Sequence, residues 1–308
     1  MSKEGKRYVF GPVPSRRLGR SLGIDLVPFK TCTYDCVYCQ LGRTTRRTSE
    51  RAEYAPAGEV LRQLEQALAS GAAPDVITLA GSGEPCLHSR LGEIVAGIKR
   101  LTSIPLAVLT NGSLLFRPEA RAALLGADLV APDLDAASEA AWRAVCRPDP
   151  ALDFGRVLAG LEAFAGEYRG RLELEVFLVA GMNDGEEEVQ RIAAVASRLP
   201  GAQVRLNTLT RPGADAGARM VTLDRLAELA RLFEPAAGLI PELEVKPAAA
   251  AAACAADIRE LVSRHPATLP EIAASLGLDL ARAQELVAEL LLRGEIAETV
   301  HEGRTFYK

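Results

Sequence analysis

Short, almost wholly apolar runs alternate with amphipathic stretches through the first three quarters of the chain. A strand buried on both faces reads as a continuous apolar run, and a surface helix as an apolar stripe at i, i+3 and i+4. By this rule strands are expected at Ser21–Val27, Asp75–Ala80, Leu106–Thr110, Asp128–Asp135, Leu172–Val179 and Gln203–Thr208. A helix is expected at Glu59–Ser70, where Val60, Leu61, Leu64 and Leu68 share one face. Further helices are expected at Leu91–Leu101, Pro118–Leu125, Ser138–Val145, Phe154–Tyr168, Glu186–Leu199 and Leu223–Phe233. Repeated strand–helix units imply an α/β protein with a parallel sheet and right-handed crossovers. Periodicity alone fits a doubly wound sheet as well as a barrel.

The alternation stops at residues 236–256, where Pro241, Pro247 and the run Ala248–Ala253 suggest a linker. Beyond it, helices are expected at Ile258–Ser263, Leu269–Leu276 and Asp279–Leu292. Two short strands follow, Ile296–Val300 and Thr305–Tyr307, around a turn at Gly303-Arg304. Thr268 with Glu271 three residues later forms a capping-box pattern. The order resembles a winged helix-turn-helix. The expected division is therefore 1–235, a linker at 236–256, and a small domain at 257–308.

With 308 residues and 48% hydrophobic content, the chain can bury a sizeable core. No run approaches the roughly 18 apolar residues of a membrane span, and no apolar stretch follows Met-Ser-Lys-Glu-Gly-Lys-Arg as a signal peptide would require. Six cysteines, three of them in one motif, suit a reducing cytoplasm better than a disulfide framework. The net charge of −4 is uneven: residues 1–51 hold eleven Lys/Arg against four acids, a balance of +7 that leaves −11 for the rest. Such a basic segment fits an anionic partner such as RNA, or equally a solvated face or counter-charge for an anionic cofactor.

The chemistry concentrates in Cys32-Thr-Tyr-Asp-Cys36-Val-Tyr-Cys39, a C-x3-C-x2-C loop with no fourth cysteine close behind. Thiolates at this spacing can converge on one metal centre, whereas a structural zinc site wants four ligands. Three ligands leave one iron of a [4Fe–4S] cluster open to a substrate or cofactor. The alternative is a zinc knuckle completed by a distant ligand such as Cys86.

Cys32, Cys36 and Cys39, with Tyr38 before the last, resemble the motif of the radical S-adenosylmethionine (SAM) superfamily. The preceding stretch, Phe10-Gly-Pro-Val-Pro-Ser-Arg-Arg-Leu-Gly-Arg-Ser-Leu-Gly-Ile-Asp-Leu-Val-Pro28, resembles a branch grouped with the wyosine-tRNA (4-demethylwyosine) synthases. The resemblance spans about residues 8–235. It implies a partial (β/α)6 TIM barrel with the chemistry at the C-terminal ends of the strands. It also implies that Cys32, Cys36 and Cys39 hold three irons while the fourth chelates SAM. One electron would then cleave the sulfonium to methionine and a 5′-deoxyadenosyl radical. An electron donor such as flavodoxin or ferredoxin is implied as a partner.

Other loops carry further resemblances. Gly81-Ser82-Gly83-Glu84-Pro85 is similar to the superfamily's Gly-Gly-Glu-Pro motif, with Ser82 for the second glycine. That likeness implies that Gly81, Ser82, Gly83 and Glu84 receive the SAM ammonium through exposed acceptors. Asn111 in Thr110-Asn111-Gly112 is similar to a loop near SAM. Asp135 in Pro132-Asp133-Leu134-Asp135-Ala136 is placed on the SAM ribose or the substrate, or else serves as a helix cap. Glu175 and Asn207-Thr208 are candidates for the barrel mouth.

Wyosine synthases carry extra cysteines before this loop, and this chain has none before Cys32. Cys86, Cys146 and Cys254 are the candidates for a second cluster, and isolated cysteines of this kind ordinarily serve as small buried hydrophobes. Of six lysines only Lys30 adjoins the cysteine loop. It is the candidate catalytic lysine for Schiff-base chemistry, set against a solvated surface lysine. His88 and Trp142 are expected in structural roles. Residues 257–308 carry six Lys/Arg and nine acids, a balance that disfavours a DNA surface and favours a protein contact or substrate lid. Three functions follow from these observations: radical SAM modification of a tRNA base; the same chemistry on a docked protein or peptide; or an Fe–S redox sensor that binds DNA.

Overall fold

The computed structural model describes residues 6–240, 253–264 and 266–308. The linker expected at 236–256 therefore lies mostly outside the described residues, as do Pro241, Pro247, most of the alanine run, Lys246 and His265. In chain order the elements are β1 (Val9–Ser15), β2 (Gly19–Ile24), β3 (Thr31–Cys32), β4 (Arg46–Arg47), α1 (Ala57–Ala69), β5 (Val76–Leu79), α2 (Leu91–Leu101), β6 (Leu106–Thr110), α3 (Pro118–Leu124) and β7 (Leu129–Pro132). Then come α4 (Glu139–Val145), α5 (Phe154–Glu167), β8 (Arg171–Leu178), α6 (Glu186–Ala196), β9 (Gln203–Thr208), α7 (Leu223–Ala230) and β10 (Gly238–Leu239). The C-terminal elements are α8 (Ala255–Arg264), α9 (Leu269–Leu276), α10 (Leu280–Leu292), β11 (Glu298–His301) and β12 (Arg304–Tyr307).

One sheet runs β1-β2-β5-β6-β7-β8-β9-β10. Every pairing in it is parallel except the antiparallel β1–β2 hairpin. From β2 onward, strand order follows chain order. A doubly wound sheet reverses direction at a switch point, and this one never does. The crossovers thus all step the same way, which excludes the doubly wound alternative.

Alternation along the strands sorts the two faces of the sheet. Ile77, Leu79, Leu106, Val108, Val130, Leu172, Leu174 and Val176 join the main core with the helices. Val76, Ala107, Leu129 and Ala131 face the other way and form a small cluster capped by Leu18. The turn of the β1–β2 hairpin also crosses that inner face. Arg17 pairs with Glu175 on β8 at 2.8 Å, and Arg16 reaches Asn207 on β9 at 3.1 Å. Contact between the first hairpin and the far strands requires the sheet to curl around its inner face.

The C-terminal elements have a core of their own, built on Ile258, Leu261, Ile272, Leu286 and Leu290. Thr268 and Glu271 make the expected capping box at the start of α9, and Gly277 closes that helix in the left-handed region with φ 64°. The unit seats on the first hairpin: Val13 packs against its core, and Arg264 lies 4.0 Å over the Phe10 ring. Ion pairs join Arg264 to Asp25 at 3.4 Å and Arg211 to Glu271 at 3.1 Å.

Several boundaries differ from expectation. The fourth expected strand ends at Pro132 rather than Asp135, because Asp133 and Asp135 turn into the loop that precedes α4. β1 was not expected, since Gly11, Pro12 and Pro14 interrupt any strand pattern. The hairpin tolerates them as an edge strand with an irregular register between Phe10 and Val13.

Candidate active site

The loop from Pro28 to Arg47 leaves the C-terminal end of β2 and returns before α1. Short pairings hold it: β3 with β4, and Thr31 with Gly83. Gly83 is required for the second. A Cβ there would stand 1.8 Å from the Thr31 carbonyl oxygen. Cys32, Cys36 and Cys39 are free thiols, each partly exposed.

Two nitrogen donors reach these sulfurs. Asn111 Nδ2 lies 3.5 Å from Cys32 Sγ, and Lys30 Nζ lies 3.2 Å from Cys39 Sγ. Burial pushes the Cys32 thiol well above the ordinary cysteine range, and Glu84, Cys36 and Cys39 add to the shift. Lys30 is not a solvated surface lysine. It is 3% exposed, with φ 57°, in a left-handed conformation held by its N–H donating to the Ser82 carbonyl at 2.7 Å.

The Gly81–Pro85 loop departs from the exposed-acceptor expectation at Glu84, which is 2% exposed. Its carboxylate accepts from Cys86 N–H at 2.8 Å, Thr110 Oγ1 at 2.6 Å and Asn111 N–H at 2.7 Å. Glu84 therefore ties the loop after β5 to the loop after β6. Burial raises its pKa against these three hydrogen bonds. Ser82 is fixed by the Asp25 carboxylate, which takes both its N–H and its hydroxyl. Gly81 has φ 145° and backs onto the same Asp25. Asn111 also donates to Thr33 Oγ1 at 2.7 Å, so it bridges the cysteine loop to β6.

Tyr38 forms the opposite wall, with Asp135 buried behind it. The Tyr38 hydroxyl donates to Asp135 Oδ2 at 2.5 Å, and its ring stacks on Phe177 at 3.8 Å between centroids and 10° between planes. Asp135 Oδ1 accepts from Phe177 N–H at 2.9 Å. Burial carries Asp135 up to about 7, while the Tyr38 and Phe177 hydrogen bonds pull it down. Asp133 is pushed well above the usual carboxylate range by burial, then by Asp135 and Glu175. Asp135 caps no helix; Ser138 caps α4. Glu173, Glu175 and Phe177 share the inner face of β8, because their alternates Leu174, Val176 and Leu178 enter the main core.

These walls enclose a cavity of about 430 Å³, lined by Tyr38, Cys39, Phe177, Glu175, Asn207 and Arg16 among others. Arg17, Arg211 and Arg264 also border it. Arg16, Arg17 and Asp25 lie in the basic, family-like stretch before the cysteine loop, while Arg211, Arg264 and Phe177 carry no motif. Strand alternation supplied a signal only for Phe177, two residues from Glu175.

The remaining cysteines do not converge. Cys86 is buried against Thr110 Oγ1 at 3.4 Å, Cys146 lies 3.6 Å from Asp135 Oδ2, and Cys254 is exposed before α8. A second cluster built from them has no geometric basis. Among the described residues no group of three His, Cys, Asp or Glu side chains stands at single-ion spacing. Cys86 is turned to Thr110 and away from the cysteine loop, whereas Cys146 lies within hydrogen-bond reach of Cys36. His88 is fully buried with Nε2 2.8 Å from the Ala55 carbonyl, and Trp142 donates to the Tyr34 hydroxyl at 3.0 Å. Both are structural.

Among the described residues no helix is long and apolar enough to cross a membrane. Comparison with known proteins places the sequence. Residues 26–195 match the family model described as "Radical SAM superfamily". The chain is 36% identical over 99% of its length to a protein of Brachyspira hyodysenteriae named GTPase Obg, and spans 46% of that protein. It is 30% identical to the UPF0026 protein MJ1312 of Methanocaldococcus jannaschii, over 97% of this chain and 94% of that one. The fold is similar to a radical SAM methyltransferase from Sphaerobacter thermophilus, with TM-score 0.51 and 19% identity over 71% of this chain and 64% of that chain. The chain therefore belongs to the radical SAM superfamily, whose enzymes bind a [4Fe–4S] cluster and S-adenosylmethionine.

Proposed function

We propose that this chain is a radical SAM enzyme built on a partial (β/α)6 barrel. Cys32, Cys36 and Cys39 would be the cluster ligands. The donor set fits the cofactor: three soft thiols share one loop, and N–H donors from Lys30 and Asn111 reach two of their sulfurs. This arrangement beside a cavity is the observation that carries the proposal. When bound, the cluster and SAM supply one-electron cleavage of the sulfonium and a hydrogen-abstracting carbon radical.

The chain's own residues position and shield. Asp25 and Gly83 fix the Gly81–Glu84 loop, whose backbone acceptors suit the SAM ammonium. Glu84 holds that loop against Asn111. Asp135, engaged at both oxygens behind the cavity, sets the far wall by holding Tyr38 and the Phe177 backbone in place. The Phe177 ring and the inner-face cluster keep the cavity apolar on one side and limit water. A flavodoxin- or ferredoxin-type donor would supply the electron.

The proposed substrate is a nucleic-acid base, in tRNA. Arg46 and Arg47 are exposed on the return of the cysteine loop, with Arg43 beside them at 59% side-chain exposure. Arg43 is paired with Asp35 at 2.9 Å, so Arg46 and Arg47 supply the charge left unpaired among the described residues, a cationic rim for a phosphate backbone. The test is the modified-nucleoside profile of total tRNA from a strain deleted for the gene. Loss of one nucleoside, restored by the wild-type gene but not by a Cys36→Ala copy, is expected. An unchanged profile would overturn the tRNA assignment.

Protein or peptide modification has one observation in its favour. The C-terminal unit, which we propose is a winged-helix-like domain, is acidic and exposes Leu280, Leu292 and Val300. A polypeptide that co-purifies, with a Cys36-dependent mass shift, would establish it.

A further inference from the structure

The cavity beside Cys39 holds a positive charge that its walls leave unmatched. Three of its arginines have acidic partners: Arg17 with Glu175 at 2.8 Å, Arg211 with Glu271 at 3.1 Å, and Arg264 with Asp25 at 3.4 Å. Arg16 differs. Its Nη1 donates to the neutral Asn207 Oδ1 at 3.1 Å, and no carboxylate among the described residues forms an ion pair with it. The two carboxylates whose charge reaches Arg16 are both already engaged: Glu175 by Arg17 and by Asn207 Nδ2 at 2.7 Å, and Glu271 by Arg211 at 3.1 Å.

Burial lowers the pKa of the Arg16 guanidinium; Glu175 and Glu271 oppose the shift, while Arg211 and Arg17 reinforce it. Arg16 is half-buried on the cavity wall among like charges, so its remaining N–H donors are open to an anion that enters the cavity. The guanidinium's planar fork of donors matches a phosphate or carboxylate edge. The β1–β2 turn brings this fork into the same cavity as Tyr38, Cys39 and Phe177.

We propose that Arg16 anchors a subsite for an oxyanion carried by the substrate, so that the rest of the substrate lies along the cavity toward Cys39. This deepens the radical SAM reading and rests on it for the identity of the reacting end. The shared chemistry is a phosphate or a carboxylate. A backbone phosphate satisfies it for a nucleic acid, and a carboxylate for a small acid or a protein side chain.

The test is isothermal titration of the anaerobically reconstituted full chain with inorganic phosphate, and separately with acetate. Each titration is run with and without saturating SAM, on wild type, Arg16→Gln, Arg16→Lys and Arg211→Gln. Saturable binding is expected in at least one arm, and the tighter arm identifies the source. It should weaken at least about tenfold in Arg16→Gln, less in Arg16→Lys, and only slightly in Arg211→Gln, whose charge is already paired. SAM should leave it unchanged. Melting curves separate misfolded variants, and Arg16→Lys keeps the charge if Arg16→Gln fails to fold. Absence of saturable binding, equal loss in Arg211→Gln, or displacement by SAM, whose own carboxylate would then be the anion, would overturn the proposal. 5′-Deoxyadenosine measured in the same samples reports the cluster chemistry independently, so the subsite and the radical SAM reading fail separately.

Discussion

Lys30 Nζ lies 3.2 Å from Cys39 Sγ, and the side chain is 3% exposed. No other hydrogen bond engages that ammonium among the described residues. A cation set against one sulfur of an Fe–S cluster stabilises its more negative, reduced form, because charge and hydrogen bonds to sulfur set the potential. Lys30→Met keeps the bulk and removes the charge. Its cluster midpoint potential should fall, by roughly 60 mV, which is one tenfold change in a one-electron equilibrium. Potentiometric titration monitored by electron paramagnetic resonance, without SAM, reads this directly. A Schiff-base role for Lys30 predicts the contrary: an unshifted potential with product formation abolished.

Cluster content should separate five of the six cysteines cleanly. Cys32→Ala, Cys36→Ala and Cys39→Ala should each lose most of the about four irons and four sulfides of a loaded chain, together with 5′-deoxyadenosine formation. Cys254→Ser alters an exposed side chain and should keep both. Cys86→Ala should also keep its iron, at a stability cost of about 1–2 kcal/mol for a small buried cavity. Iron lost from Cys86→Ala at full folding would restore that residue as a ligand.

Gly83→Ala tests the join between the two motif loops. Its Cβ would meet backbone, the Thr31 carbonyl oxygen at 1.8 Å and its carbon at 2.7 Å, so no side-chain rotation relieves the clash. The loops must part, and Cys32, next to Thr31, moves with them. We expect a loss of about 3 kcal/mol or more and poor cluster incorporation, read by thermal melting and iron content. Gly42→Ala, in the same cysteine loop, meets no atom within 4 Å, although its φ of 82° adds some strain. It should cost about 1 kcal/mol and retain iron.

The strands and helices of the sheet were legible because each carries its own period. Leu106–Thr110 and Gln203–Thr208 were found at their observed bounds from local pattern alone. Asp133 and Asp135 misled the strand boundary because a short polar–apolar alternation after a strand looks like its continuation. What stayed hidden is long-range. Arg16 meets Asn207 across 191 residues, and nothing periodic connects them. Lys30 reads as a lone loop lysine, and only the return of the chain through Arg46 and Ser82 buries it. The motif marks Glu84 as part of the site, and the structure finds its carboxylate buried. That motif marks the loop, whereas the three donors to Glu84 come from Cys86 just after it and from Thr110 and Asn111 at the end of another strand.

The seat of the C-terminal unit should depend on pH through Glu271. Burial raises its pKa, but the Arg211 charge and the Thr268 N–H outweigh this, so the folded value is lowered overall. A carboxylate depressed by folding stabilises the folded state above its unfolded value, near 4.3. That contribution is lost as pH falls through the depressed folded value. Arg211→Gln removes the charge behind much of the depression while leaving the capping box of α9 intact. The stability gap between parent and Arg211→Gln should thus be present at about pH 6 and close toward about pH 3. Thermal melting across this range measures it, in a Cys36→Ala background so that acid release of the cluster does not enter. A gap constant with pH would assign the stability of Arg211 to its packing against α9 and not to the ion pair.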